Sequence, residues 1–247
     1  MLPMNHPIVE IDPEILRPTI VTVDLAQLSA NYHAIQQRVG AAAIMPILKA
    51  NAYGHGLLPV AQHLEKLGAP YFGVAFLEEG ILLRQAGIQT PILVMGGIIG
   101  NQIPLFLKHN LTITASSVEK LQQIEAAAVQ MGVPAKVHLK IDTGMERIGV
   151  HYFNAPTLLE ASQNCQHVTI EGIYSHFANS DAADLSSAKV QVARFNQVLR
   201  WYDDHGLTPP MRHMANSGGI LQLPEAHYDM VRPGILLYGV YPAAEAQ

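Results

Sequence analysis

Strand-like and helix-like segments alternate along most of this sequence, and few folds accommodate such an alternation. From Ala43 onward there are eight short strand-like runs with helical patterns between them. Strands that alternate with helices imply βαβ units and a parallel sheet. Eight such units in about 250 residues is the size expected of a (β/α)8 TIM barrel of the α/β class. The strand-like runs lie near residues 43–49, 71–76, 91–96, 111–115, 136–142, 168–176, 211–215 and 229–232.

A doubly wound open sheet is the alternative that the same alternation permits. It would require a glycine-rich phosphate turn after the first strand, and Gly54-His55-Gly56 does not match that fingerprint. The barrel is therefore favoured. The helical patterns that separate its strands lie near residues 57–67, 77–86, 101–109, 117–131, 154–163 and 186–205, with a shorter one near 218–223.

One strand-like run precedes the eight of the barrel. Thr19 to Val23 is β-branched, and Asp24 after it is a suitable N-cap for a helix through about Arg38. This strand cannot join a closed eight-stranded barrel, so it must pair elsewhere or remain an exposed edge. The domains expected are an arm (1–17), the extra strand and helix (18–42), the barrel (43–240) and the start of a linker (241–247).

Composition excludes several classes of protein. The chain has 247 residues, a formal net charge of −5 and a single cysteine, Cys165. Without a basic block, nucleic acid is not expected as a partner, and one cysteine suits a reducing, cytoplasmic compartment. No apolar run approaches the ~18 residues that a membrane-spanning helix needs. The residue types and spacings predict no metal site.

The run from Ile44 to Gly56 places one lysine between an apolar strand and a glycine-rich turn. Such a run reads as a buried strand of a parallel sheet, so Lys49 would stand where that strand ends. Partial desolvation disfavours an ammonium ion, and this is how a lysine becomes a Schiff-base nucleophile at neutral pH. A lysine that only ends a strand with its amine in water would give the same local pattern.

Polar residues follow several of the predicted strands, at the end of a barrel where active sites lie. Ser217 precedes a short helix and has glycines behind it, so its hydroxyl and nearby backbone N–H groups could bind an anion. Gly234 allows close backbone approach from the next loop. The pattern is also consistent with a plain turn and N-cap. The polar segments are Lys49–His55, Asp142–Arg147, Ser175–His176, His213–Gly219 and Arg232–Gly234.

A phosphate site and a Schiff-base lysine on the same rim indicate pyridoxal 5'-phosphate. Arg232 would then be the partner of the pyridine nitrogen. Arginine only donates hydrogen bonds, so it would keep that nitrogen unprotonated and the ring a weaker electron sink. Such a ring suits removal and return of a proton at one carbon. A structural salt bridge is the alternative role for Arg232.

With these residues in place, the sequence resembles alanine racemase, a pyridoxal-phosphate enzyme of fold type III. The resemblance covers about residues 17–240, in the family's order, and its first and last motifs are the specific ones. The matching segments are Leu48–Gly56, Phe72–Ala75, Lys140–Gly149, Ser175–Ala178, Asn216–Gly219 and Met230–Gly239.

The resemblance implies a role for each matching residue. Lys49 would bind the cofactor's aldehyde and act as one of two bases, and Arg147 would hydrogen-bond the phenolic oxygen. Arg232 would face the ring nitrogen with His176 behind it. Lys140 matches a lysine that can be carbamylated to orient the arginine, although a plain buried lysine is equally compatible. Phosphate would be held by Tyr53, Ser217, Gly234 and Ile235, beside Asn216, whereas His55, His151 and His213 would be structural.

One departure from the family concerns the end of the chain. The resemblance implies a second, mostly β domain after the barrel, which would supply the second base, a tyrosine, to the partner subunit of a homodimer. Here the sequence stops at Gln247. We therefore expect either a fragment or a barrel-only relative, and weak cofactor binding and poor turnover by this chain alone. The resemblance also implies that the N-terminal strand pairs with that second domain, so we expect Thr19 to Val23 to be displaced, disordered or paired with another chain.

Three functions remain compatible with the residues. The first is an isomerase that interconverts L- and D-alanine, a small-molecule substrate, in the supply of D-alanine for peptidoglycan precursors. The second is a barrel-only pyridoxal-phosphate homeostasis protein without catalysis, which fits the length better and the motifs less well. The third is a decarboxylase of the same fold type, against which Arg232 argues, because an acidic residue is expected there.

Overall fold

The computed structural model describes residues 21–243, which form a curled parallel sheet surrounded by helices. The sheet order is β1-β9-β8-β7-β5-β4-β3-β2, and short β6 pairs with β5 outside that path. The strands are β1 (Ala43–Ile44), β2 (Phe72–Val74), β3 (Ile92–Val94), β4 (Thr112–Ala115), β5 (Ala135–Asp142), β6 (Val150–His151), β7 (Val168–Tyr174), β8 (Met211–His213) and β9 (Met230–Val231).

The circle closes between the segment after β1 and strand β2. Gly73 donates its N–H to the carbonyl of Pro46 (2.9 Å) and accepts the N–H of Leu48 (2.8 Å). On its other side, β1 pairs in parallel with β9 through Ala43–Met230 and Ile44–Val231. The (β/α)8 barrel predicted from the alternation is therefore confirmed, with its eight strands at the predicted places. Strand β6, which pairs with β5 outside the ring, was not predicted.

Helices fill the intervals between the strands. Helix α1 begins after Asp24, as predicted, because the Asp24 carboxylate accepts the N–H groups of Ala26 (2.8 Å) and Gln27 (3.0 Å). The helices are α1 (Leu25–Val39), α2 (Lys49–Tyr53), α3 (Leu57–Lys66), α4 (Leu77–Gln85), α5 (Ile103–Lys108), α6 (Val118–Met131), α7 (Ala155–Gln163), α8 (Ser186–Asp204) and α9 (Ser217–Gln222). The 3₁₀ turns are Gly100–Gln102, Tyr152–Asn154, Pro224–Ala226 and Ile235–Tyr238.

The predicted extra strand falls partly outside the described residues. Thr19 and Ile20 lie there, as do the predicted arm (1–17) and residues 244–247. Within the described range, residues 21–23 form no strand, and Val21 is 87% exposed. No pairing of this segment with the barrel sheet is therefore seen from residue 21 onward.

The hydrophobic core lies between the sheet and its helices, where apolar strand residues such as Phe72, Ile92 and Ile113 are fully buried. The inside of the barrel is more polar, because His138, Lys140 and His213 all project there with little or no exposure. Across residues 21–243, we find no helix with the length and apolar character needed to cross a bilayer.

Candidate active site

Two adjoining cavities open at the carboxyl ends of the barrel strands, with volumes of about 300 and about 430 Å³. They share Lys49, Met95, His176 and Arg232 as walls. The site residues predicted from the sequence all line one or both. The smaller cavity adds Tyr53, Asn216, Ser217, Gly234 and Ile235, and the larger adds Lys140 and Arg147.

Lys49 begins a left-handed helical turn. Residues 50–53 all have φ between 53 and 56°, a left-handed conformation that costs L-residues roughly 1–2 kcal/mol each. The turn is closed by the N–H of Ala52 on the carbonyl of Leu48 (2.8 Å). It places the Lys49 Nζ 5.9 Å from the centre of the Tyr53 ring, so both side chains face the same cavity. Strain of this kind concentrates at functional sites.

The carboxylate of Glu79 holds this turn against the end of β2. Its Oε1 accepts the N–H of Ala50 (2.7 Å), and its Oε2 accepts those of Ala75 (2.8 Å) and Phe76 (3.2 Å). Sequence reasoning missed Glu79. The one available signal was its place as the third residue of α4, from which a glutamate can reach back to the helix start.

Replacing Glu79 by alanine should lower the free energy of unfolding by about 1–3 kcal/mol, because three N–H groups lose their acceptor. Urea denaturation measures the loss. Glu78→Ala is the matched control, since Glu78 is exposed in the same helical turn, and we expect a change within about 0.5 kcal/mol. Equal effects from the two substitutions would show that the Glu79 contacts contribute nothing specific.

The loops after β8 and β9 meet at the hydroxyl of Ser217. Its Oγ accepts the N–H groups of Gly234 (3.1 Å) and Leu236 (3.2 Å), so its own hydrogen is free to be donated. Asn216 Oδ1 accepts from Ser180 Oγ (2.7 Å) and from the N–H of Gly219 (3.0 Å), which fixes the loop. At Gly234 a Cβ would lie 2.5 Å from Tyr53 Oη, so the close approach requires glycine.

Arg232 is 3% exposed, and its two Nη atoms contact four acceptors. Its Nη1 donates to Nδ1 of His213 (2.8 Å), and its Nη2 donates to the carbonyl of Ser175 (2.7 Å) and to Nδ1 of His176 (3.2 Å). Nη2 also reaches the carbonyl of Met214 (2.9 Å). Burial lowers the pKa of Arg232 to about 10, so the guanidinium stays charged at neutral pH.

Both histidines next to Arg232 are held neutral. Burial, and then the charge of Arg232, lowers the pKa of His176 and that of His213 well below the usual range. A guanidinium only donates, so each Nδ1 must accept. The predicted neighbour His176 therefore contacts Arg232. His213, interpreted as structural from sequence, contacts it more closely. In sequence, a histidine at the end of a strand looks the same whether it only packs in the core or orients a neighbouring side chain such as Arg232.

Lys140 is 3% exposed and lies in the larger cavity, with its Nζ 4.6 Å from the centre of the Tyr174 ring. Burial, followed by the charges of Arg232 and Arg147, lowers the pKa of Lys140 well below its usual value. Arg147 lies on the same cavity wall with an exposed side chain. The larger cavity therefore combines the amines of Lys49 and Lys140 with the guanidinium groups of Arg147 and Arg232.

The loop that carries Arg147 is built around Asp142. The Asp142 carboxylate accepts the N–H groups of Gly144 (2.8 Å), Met145 (2.9 Å) and Arg147 (3.2 Å). Asp142, Glu146 and His151 also bring three potential metal-ligand atoms within 4.8 Å of one another. Because the Asp142 oxygens already cap the loop, this cluster carries no metal assignment.

This chain is a (β/α)8 barrel that carries a lysine, a serine loop and a buried arginine at the carboxyl ends of its strands. Few classes of barrel protein combine these three features. The model of the alanine racemase N-terminal domain matches residues 23–242. The chain therefore belongs to the alanine racemase N-terminal domain family.

Curated relatives agree with this assignment. The chain is 42% identical over 230 residues to the alanine racemase of Carboxydothermus hydrogenoformans, covering 93% of this chain and 62% of that protein. It is 40% identical over 235 residues to alanine racemase 1 of Caldanaerobacter subterraneus subsp. tengcongensis, covering 94% and 60%. The chain thus spans about three fifths of the length of these relatives.

Solved structures show the same fold. Alanine racemase of Clostridium difficile 630, in complex with cycloserine, has a TM-score of 0.87 and 34% identity, covering 92% of this chain and 64% of that one. Alanine racemase from Bacillus anthracis, with bound L-Ala-P, has a TM-score of 0.84 and 31% identity, covering 91% and 58%. These matches do not favour the homeostasis-protein alternative.

Proposed function

We propose that the chain carries the cofactor half of a pyridoxal 5'-phosphate-dependent racemase that interconverts L-alanine and D-alanine. One observation carries the proposal: a single cavity is lined by the Lys49 amine, the hydroxyls of Tyr53 and Ser217, and the buried guanidinium of Arg232. The amine can bind the aldehyde of the cofactor, and the hydroxyl groups can donate to its phosphate. The fixed guanidinium can donate to its ring nitrogen.

The residues present fit the cofactor. The Ser217 hydroxyl accepts two backbone N–H groups and keeps its hydrogen to donate, as a phosphate oxygen requires. Gly234 leaves open the space that a Cβ would fill beside Tyr53. When bound, the cofactor delocalises the negative charge that forms at the substrate's α-carbon. Tyr53, Ser217, Gly234 and Ile235 would hold the phosphate, with Asn216 fixing their loop.

Lys49 would hold the cofactor and then move a proton at the α-carbon, on the face it occupies. Arg232 would donate to the ring nitrogen and keep it unprotonated, because a guanidinium has no proton to give up at neutral pH. His176 would orient Arg232, and Arg147 would donate to the phenolic oxygen. Together these residues would limit the delocalisation of the negative charge over the cofactor ring, which favours return of the proton to the α-carbon.

Lys140 is suited to carbamylation. Carbon dioxide adds to a neutral amine, and the lowered pKa of Lys140 increases the fraction of that form. A carbamate there would place a negative charge between Arg147 and Arg232, two cations that line the same cavity. We propose it as the group that orients Arg147.

Racemisation needs proton-transfer groups on both faces of the α-carbon, and Lys49 covers one. We propose that the second is a tyrosine of a β domain, given by the partner subunit of a cytoplasmic homodimer. The family resemblance supports this, and the product would serve peptidoglycan precursor synthesis.

The test is exchange of the α-hydrogen of alanine in D2O, followed by proton NMR with the 247-residue chain and added cofactor. A single base on one face should exchange one enantiomer faster than the two enantiomers interconvert. The chain without added cofactor is the control. Absence of both cofactor absorbance and exchange would overturn the proposal, and decarboxylation of the substrate would redirect it to the other fold-type III chemistry.

A further inference from the structure

A row of polar side chains crosses the inside of the barrel from its amino-terminal rim to Arg232. His213 Nε2 lies 2.8 Å from His138 Nδ1, and His138 Nε2 lies 3.5 Å from Tyr71 Oη. The Tyr71 hydroxyl donates to Glu171 Oε2 (3.0 Å) and can accept from the Thr112 hydroxyl (2.7 Å), which itself lies 3.2 Å from Glu171 Oε2. Tyr71, Thr112, His138 and His213 are 6, 2, 0 and 0% exposed, so water does not replace these contacts.

The backbone of β7 is shaped to make this row possible. Between β5 and β7 the register shifts, so that Val137 pairs with Ile170 and His138 with Gly172. Glu171 is the residue left over, and a bulge of this kind re-aims a side chain. At Gly172 a Cβ would lie 2.6 Å from the His138 ring, so only glycine admits the imidazole there. Two local departures from a regular strand therefore serve the same row.

The row can carry its hydrogens in one direction only. Arg232 donates to His213 Nδ1, so the hydrogen of His213 is on Nε2 and is donated to His138 Nδ1. His138 then carries its hydrogen on Nε2 and needs an acceptor, which is Tyr71 Oη. Burial raises the pKa of Tyr71, so its hydroxyl keeps its hydrogen and donates it to Glu171. A carboxylate accepts without donating, which ends the row.

We propose that Tyr71 and Glu171, at the far end of the barrel from the candidate cofactor cavity, are positioning residues: they accept the hydrogens of the row and so support the His213 tautomer, and with it the orientation of Arg232, that the Arg232 contact requires. The role of Arg232 toward a pyridine nitrogen rests on the proposed function. The arrangement of hydrogens does not, because it follows from the contacts of the chain itself.

Removing the Tyr71 hydroxyl, the acceptor at the amino-terminal end of the row, changes the tautomer balance of His213 at the other end. Without Tyr71 Oη, the His138 Nε2–H has no acceptor inside the barrel, and the Nδ1–H tautomer of His138 gains weight. That tautomer points an N–H at the Nε2–H of His213, so His213 must reverse as well. A reversed His213 would direct its Nδ1–H at the guanidinium, and Arg232 would lose a partner.

The test is nitrogen-15 NMR of the histidine side chains in the 247-residue chain without added cofactor, so its result is independent of cofactor binding. The parent chain should show one tautomer for His213, with Nδ1 free of hydrogen. Tyr71→Phe should abolish that single state, shifting the two ring-nitrogen resonances of His213 toward each other. The control is Tyr202→Phe: the buried Tyr202 hydroxyl has no hydrogen-bond partner within residues 21–243.

Glu171→Gln gives a second measurement that does not depend on Tyr71→Phe folding, because Glu171 is partly exposed and the amide keeps its shape. An amide can donate as well as accept, so a smaller shift of the His213 nitrogens in the same direction is expected. If Tyr71→Phe and Glu171→Gln both leave the His213 resonances unchanged, or if Tyr202→Phe moves them equally, the proposal is wrong.

Discussion

Replacing Lys49 by alanine should abolish covalent attachment of pyridoxal 5'-phosphate to this chain and lower α-hydrogen exchange of alanine by about 10³-fold or more, the order expected on removing a general base. Lys49 lines both cavities and directly precedes the strained left-handed turn of residues 50–53. Borohydride reduction followed by peptide mass mapping would locate the cofactor.

The matched control is Lys66→Ala, because Lys66 is exposed on α3. It should retain the parent's cofactor-bearing peptide. Lys140 is the other amine in the cavity. A reduced adduct found at Lys140 in the parent chain, or an adduct that survives in the Lys49→Ala variant, would show that the nucleophile is misassigned.

Arg232→Ala should be the most destabilising substitution in the site, with a loss of about 1–3 kcal/mol in the free energy of unfolding, the cost of leaving buried polar groups without a hydrogen-bond partner. His213, His176 and the carbonyls of Ser175 and Met214 would lose their shared donor. Urea denaturation of the chain without cofactor measures this directly.

Arg212→Ala is the control for arginine removal, since its pair with Asp229 (2.7 Å) is over a third exposed on both sides. Such pairs contribute about 0–1 kcal/mol. Arg232→Lys separates charge from geometry: a lysine keeps the cation, but it cannot reproduce the planar set of donors. A loss below about 1 kcal/mol for Arg232→Ala would contradict the importance of its four buried contacts.

The barrel could be predicted from sequence because its signals are local. Eight apolar runs bounded by turns define the strands, and Asp24 marks the start of α1 through contacts with residues two and three positions away. Lys49, Ser217 and Arg232 could be placed on one rim for the same reason, since each directly follows or ends a predicted element.

The contacts that support the site could not be predicted in this way. Glu79 binds Ala50 across 29 positions, and Tyr71 binds Glu171 across 100. The bulge at Glu171 leaves no trace in the alternation of a strand that is polar at several positions. Likewise, only Asn51 among residues 50–53 favours the left-handed region, and one asparagine does not predict four consecutive residues there.

The seam of the barrel determines when its cavity can exist during folding. The strand that leads to Lys49 is the first of the ring, and β9, which leads to Arg232 and Gly234, is the last, with Ile44 paired to Val231. Nearly the whole barrel sequence separates them, and contacts of such long range are formed late and slowly. On a ribosome, β9 emerges after all the other strands of the ring. Cofactor binding by this chain would therefore indicate that the ring of strands has closed. Folding intermediates in which β9 has not yet paired with β1 would not bind the cofactor.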